Sequence, residues 1–296
     1  MSQDDVGLLL RTAVGLAVVV GLTMGLQRWG RLPTGARPLT AVLRAALQLG
    51  VIALVLRGVL TWPALVAAFV ALMLTTASLT SGSRLGELWS GRRAALAAVL
   101  VGGLVSTAVV LALGLVPFDA RNVVAVGGIL IGNSMSAATL SGRNFRTMAL
   151  ARAGEVEAWL ALGAPPRRAF EDVARNAVHE ALLPTLDQTR STGLVTLPGA
   201  FVGALFGGAG PIEAARFQLV VLAGIMLTQT LTGLTVTRIL SAAPLLPTAA
   251  APSGAAAQRR KHHHAPAERP QGGGPGAGGT AREVAAGSRP TSADPS

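Results

Sequence analysis

His179 stands beside Glu180, with Asp187 seven residues further on, and these are the side chains of this chain best suited to hold a metal ion. One imidazole and two carboxylates are donors that divalent first-row metals accept. The trio is therefore a candidate metal-binding set at a cytoplasmic entry point. The same residue types also cap and pair on interfacial helices, and that reading stands beside the first. The chain contains no cysteine, which removes thiolate metal sites, disulfides and thiol nucleophiles together. Paired aspartates or Ser/His constellations within apolar stretches are lacking too, so a membrane enzyme is not indicated. The one lysine, Lys261, is followed by His262, so no G-x-x-x-x-G-K-[ST] phosphate cradle exists and no cofactor of the chain's own is expected.

A second group of residues is polar in places where polarity is expensive. Arg44 and Gln48, four apart, share a helix face. Asn133, Ser134 and Ser136 follow Gly132, and Gln218 and Gln229 interrupt the last apolar run. Pro198, with Gly203, Gly207 and Gly208 after it, predicts a kinked or interrupted helix of the kind that lines cavities. These are candidates for a translocation path. Hydrogen bonding that glues one span to another explains each of them equally well.

The elements that must position these groups are apolar. Of 296 residues, 51% are hydrophobic and only 13% charged, about half the charge of an ordinary soluble domain. The apolar residues come in runs near the ~20 residues that cross a ~30 Å hydrocarbon core. Seven runs stand out: 6–26, 40–60, 62–80, 94–116, 122–141, 193–209 and 217–237. They do not alternate as barrel strands do. The expectation is an all-α polytopic transmembrane bundle of about seven spans over 1–241. No carboxylate lies deep in any of these runs. Asp4 and Asp5 precede the first run where a signal peptide needs basic residues, so it reads as a retained span.

Positive charge sets the expected orientation, because Lys and Arg near span ends resist translocation. Arg28, Arg31, Arg37 and Arg44 follow run one; Arg84, Arg92 and Arg93 follow run three; Arg143, Arg146, Arg152, Arg167, Arg168, Arg175 and Arg190 follow run five. The alternate loops hold one arginine each: Arg57, Arg121 and Arg216. This places the N-terminus outside and the C-terminus in the cytoplasm of a bacterial inner membrane. The net charge of +11 is then accounted for without nucleic acid, since basic patches interleaved with aromatics are missing. From residue 242 the chain turns to Ala, Pro, Gly and Ser with Arg259, Arg260, Lys261 and three histidines, a composition that predicts a disordered tail over 242–296.

Between runs five and six lies a helix-patterned, arginine-studded segment of about 143–192. Val156, Leu160, Phe170, Val173, Ala177 and Ala181 recur at three-to-four spacing, broken at Gly163-Ala164-Pro165-Pro166. A cytoplasmic amphipathic helix of this kind either lies on the membrane surface or docks on a partner.

Glu157-Ala158 with Gly163 five residues on, then Phe170 and Val173, resembles the EAA loop of ABC-transporter permeases, the coupling helices that sit in a cleft of the ATPase subunit. The Leu-Pro that usually closes that loop is replaced by Arg175-Asn176, and Leu183-Pro184 comes eight residues later. GGILIGNSMSAATL at 127–140, LGAPPRRAF at 162–170 and LLPTLDQTRSTGLVTLPGAFVGALFGGAGPIEAARFQ at 182–218 resemble the bacterial FetB family of iron-export ABC permeases, whose plant relatives are aluminium-sensitivity membrane proteins. The resemblance implies a permease subunit with Glu157, Ala158, Gly163, Ala164 and Phe170 in ATPase coupling. It further implies a soluble ABC ATPase partner that binds ATP and Mg, a homodimer of permease chains, and iron or a related metal as cargo. A secondary transporter or channel without an ATPase is the alternative.

Overall fold

The computed structural model describes residues 3–60 and 62–247, and these fold as helices joined by short connections. In chain order they are α1 (Gln3–Trp29), α2 (Arg37–Val59), α3 (Pro63–Arg84), α4 (Gly91–Leu100), a wider π turn (Val101–Val105), α5 (Ser106–Ala112), α6 (Ala120–Ala151), α7 (Ala153–Ala161), α8 (Pro166–Ala169), α9 (Glu171–Ser191), α10 (Gly199–Phe206) and α11 (Pro211–Leu240). The protein is an all-α polytopic bundle. Six helical stretches among the described residues are long and apolar enough to cross a membrane, α4, the π turn and α5 counting as one.

Why the helices start where they do is local chemistry. Proline occupies the first turns of α2, α3, α8 and α11, where its missing N–H costs nothing. Asp119 caps α6 by accepting the Asn122 N–H at 2.8 Å.

Three apolar clusters stacked along the bundle define its ends. At one end Leu85, Phe145, Ala149, Val156, Phe170, Val173 and Leu240 pack together. Leu74, Val99, Ile131 and Ala138 fill the middle, and Val110, Val116, Val126 and Leu130 close the other end. The order of residues through these layers makes α3, α6 and α11 parallel to one another and the α4–α5 unit antiparallel to them. The Phe145 end carries Arg84, Arg92, Arg93, Arg143, Arg146, Arg152 and Arg238; the Val126 end carries Arg121 and Arg216.

Close packing rests on small residues, as expected where lipid supplies no hydrophobic force between helices. A Cβ on Gly102 would lie 1.9 Å from Thr232 Oγ1, so the π turn meets α11 nearly backbone to backbone. A Cβ on Gly233 would sit 3.0 Å from Val178, which seats α9 against α11.

The expected sixth span is corrected by the fold. Of residues 193–209 only Gly199–Phe206 is helical, eight residues, which rise ~12 Å and cannot cross a bilayer. Pro198 at its N-cap and Gly207 at its C-cap bound it. The chain still traverses the bundle in that region, and it does so in α9. Phe170 begins α9 with its ring 5.5 Å from that of Phe145. At the far side of the traverse, the Phe201 N–H donates to Gln218 Oε1 at 3.1 Å. From Gly233, opposite Val178, back to Gln218, α11 rises ~22 Å, and from Val178 to Ser191 α9 rises ~20 Å. Residues between are folded into a compact turn, the Gly193 N–H bonding the Thr196 carbonyl at 2.9 Å, and add little to the climb. Beside the six apolar stretches found among the described residues, α9 thus runs along α6 and α11 through much of the bundle's length without being one of those stretches. Of the tail expected from 242, everything after 247 lies outside the described residues, including Lys261 and the three histidines beside it.

Candidate functional site

At the Phe145 end the chain leaves α6 and builds a small protruding unit from α7 and α8. Its turn is set by Gly163, whose φ of +82° is a left-handed conformation that other residues resist. The Gly163 N–H bonds the Leu160 carbonyl and the Ala164 N–H bonds the Trp159 carbonyl, both at 3.0 Å, so the end of α7 is closed by a complete Schellman pair. Glu157, Ala158 and Gly163 are exposed and Ala164 is half-buried. Leu162 is 81% exposed at the tip. The Arg168 guanidinium lies 5.7 Å from the centre of the Trp159 ring, tying α8 to α7. Phe170 is buried completely against Phe145, which makes it the root of this unit rather than part of its outer surface.

Deep in the bundle, the polar residues of α6 and α11 meet. Gln229 Nε2 donates to Asn133 Oδ1 at 3.2 Å, and Asn133 Nδ2 donates to the Ile129 carbonyl at 2.8 Å. Ser134 is buried and bonds the Ile131 carbonyl, whereas Ser136 faces outward and bonds that of Gly132. Sequence reasoning missed Ser106, Ser141 and Thr232, which join this seam. Together with Gln229 Oε1 and Ser78, their oxygens are buried with no hydrogen-bond partner among the described residues. The recurrence Gly224, Thr228, Thr232 at four-residue spacing was the available signal. Gln218 is buried nearer the Val126 end, where it holds α10. Pro198 begins α10 and lies apart from the seam.

Arg44 and Gln48 are not brought to this seam. They are exposed on α2, which packs on α1 and α3. Arg44 lies two turns from the start of α2, within reach of the membrane surface for a side chain that extends toward headgroups.

His179, Glu180 and Asp187 are all exposed on α9. Among the described residues no three His, Asp or Glu side chains converge to hold a metal ion. His179 and Asp187 are ~12 Å apart along the helix axis, so one chain does not join them. Asp187 pairs with Arg190 at 3.6 Å, and Arg175 with Glu171 at 3.0 Å. No cation among the described residues pairs with Glu180.

The Val126 end holds a cavity of about 850 Å³ between α6, α10 and α11. Asp119, Arg121, Glu213 and Arg216 line it alongside Ala200, Gly203 and Gly207.

Small residues at the helix contacts, a buried polar seam and a protruding knob at the arginine-rich end define a polytopic membrane protein. The chain belongs to the uncharacterised protein family UPF0014, whose model matches residues 10–243. It is 36% identical over 214 residues to the UPF0014 membrane protein STAR2 of Oryza sativa subsp. japonica, covering 71% of this chain and 74% of the relative. It is 32% identical over 212 residues to the protein ALUMINUM SENSITIVE 3 of Arabidopsis thaliana, covering 70% and 74%. The probable iron export permease protein FetB of Escherichia coli is 32% identical over 124 residues, 42% of this chain and 48% of the relative. No solved structure matches the chain.

Proposed function

We propose that this chain is the membrane-spanning permease subunit of an ABC transporter that exports iron or a related metal, driven by a separate ATPase subunit that binds ATP and Mg. The observation that carries the reading is the α7–α8 knob, with Glu157, Ala158, Gly163 and Ala164 on its accessible side at the arginine-rich end. By the distribution of arginines that end faces the cytoplasm of a bacterial inner membrane, with the N-terminus outside and the C-terminus inside. Phe170 transmits rather than touches: its ring is the link between the knob and the foot of α6. Closure of an ATPase dimer against two such knobs would turn α9 and α6 together, because both are rooted in the same apolar cluster. The similarity to FetB supports metal export, and α9 bears an acidic excess: Glu171, Asp172, Glu180 and Asp187 against Arg175 and Arg190.

The test is co-purification of this chain in detergent with candidate soluble ABC ATPases, followed by ATP turnover with and without ferrous iron. A stable complex stimulated by iron supports both parts. A complex indifferent to iron removes the cargo, and absence of any complex favours a secondary transporter or channel. Gly163→Val adds a finer probe. A β-branched residue in left-handed backbone costs ~1–2 kcal/mol, enough to reshape the knob while leaving the bundle inserted. The expected result is a protein at normal membrane level with ATP turnover uncoupled from transport; normal transport removes the docking assignment.

A further inference from the structure

We infer that α9 is the water-facing wall of the conduit, with the stripe Asp172, Arg175, His179, Asp187 and Arg190 bordering a hydrated passage for cations that the same stripe of a second copy closes. The inference rests on the transport reading and adds to it the surface along which the cargo moves.

Those five residues recur at three- and four-residue spacing, with Leu183 completing the series, so they share one face of α9. All five are exposed, while Val173, Ala177, Val178 and Ala181 on the other side are buried against α6 and α11. The helix runs antiparallel to α11 from Phe170, and Val178 lies opposite Gly233. Nine residues beyond Val178, Asp187 is thus raised ~13 Å toward the Val126 end, alongside the middle of the apolar stretch of α11.

Lipid cannot cover such a face. Each charge at the bilayer centre costs ~2.5–3.5 kcal/mol even on the most lenient scale, and Asp187 and Arg190 stand near that depth, with Asp172 and Arg175 at the foot of the helix. The other helices with large uncovered sides, α1 and α2, present chiefly Leu and Val, with Arg11 on α1 and Arg44 and Gln48 on α2 as mid-helix polar exceptions that offer no carboxylate. The stripe itself does: its Asp172–Arg175 and Asp187–Arg190 pairs carry both signs at two heights, so two copies related by an axis along the membrane normal face each other with complementary charge. Between them a column of water keeps the groups solvated, and the unpaired Glu180 with His179 next to it biases the column toward cations.

Because the native chain has no cysteine, single-cysteine variants of the full chain read this directly. Asp172→Cys, His179→Cys, Asp187→Cys and, at the same height, Gln188→Cys are exposed positions, with Ile212→Cys marking the Val126 end and the mid-span Leu47→Cys marking lipid. The probe is a charged, membrane-impermeant maleimide added to right-side-out and to inside-out vesicles. Expected is modification of Asp187→Cys or Gln188→Cys roughly tenfold or more faster than Leu47→Cys, since a thiol in hydrocarbon stays protonated. Asp172→Cys and Ile212→Cys should react from opposite sides, and a short bis-maleimide should convert His179→Cys to a covalent dimer. Modification of Asp187→Cys and Gln188→Cys from neither side overturns the conduit. Reaction of Asp172→Cys and Ile212→Cys from the same side shows that α9 does not cross. A monomer after cross-linking removes the second copy. None of these readouts uses an ATPase, so failure here is separable from failure of the ABC reading.

Discussion

Helices α2 and α9 are of similar length, 23 and 21 residues, and each leaves a long side of itself uncovered by the rest of the chain. On α2 that side is Leu43, Leu47, Val51 and Leu54; on α9 it is aspartate, arginine and histidine. The same exposure therefore has opposite physical meanings. For α2 uncovered leucines are the favourable state, because hydrocarbon solvates them as well as another helix does. For α9 the charges require water or a charged neighbour, which means that the two sides of this bundle meet different solvents.

The strongest way to break the comparison is to detach α9 at its root. Phe170 is the large side chain that closes the foot of α9 onto α6, and Phe170→Ala should cost ~3–5 kcal/mol. The expected outcome is a steep loss of thermal stability in lipid nanodiscs together with rapid proteolysis between α7 and α9. Wild-type stability would mean that the knob and α9 are held by something other than this ring pair. Next in size is a matched pair of substitutions. Leu47→Asp places a carboxylate at mid-span on the lipid side and should cost ~3 kcal/mol, seen as reduced membrane insertion. Gln188→Asp adds the same charge to α9 and should fall within ~0.5 kcal/mol of neutral, as exposed substitutions usually do. Equal effects on insertion would abolish the distinction between the two faces.

What the sequence makes legible divides along the same line. The six apolar stretches announce themselves by composition, because lipid selects residue by residue. The break at Gly163 is also legible, since a glycine ahead of two prolines ends a helix, and the structure adds that it closes as a Schellman turn. The course of α9 along α6 and α11 was not legible. Its residues read as an interfacial helix, and the apolar run at 193–209 took its place, although Pro198 and Gly207 cut that run to eight helical residues. A charged helix packed along apolar ones is tolerated only through its neighbours, and neighbours are a tertiary fact. For the same reason no carboxylate is found deep in an apolar run, whereas the fold carries Asp187 to the middle of the bundle's length. Arg44 and Gln48 show the limit in the other direction: a shared face on one helix says nothing about which way that helix is turned, and the fold leaves them exposed on α2 and apart from the seam.

The smallest expected effect is the most discriminating. Arg190 pairs with Asp187 at 3.6 Å, with side chains 79% and 70% exposed. In water such a pair contributes ~0.2–1 kcal/mol, because both ions are nearly as well solvated apart. Arg190→Ala should therefore barely move the melting temperature in nanodiscs, and raising the salt concentration should reduce even that shift. If the stripe instead met a dry surface, removing Arg190 would strand the Asp187 carboxylate in low dielectric and cost ~3–5 kcal/mol, independent of salt. Asp187→Leu separates the cases from the other side: on a dry face it relieves a desolvated ion and leaves the arginine free to extend toward headgroups, whereas on a wet face it exposes an apolar side chain to water and gains nothing. A mild, salt-sensitive Arg190→Ala with no gain from Asp187→Leu is what the water-facing reading requires.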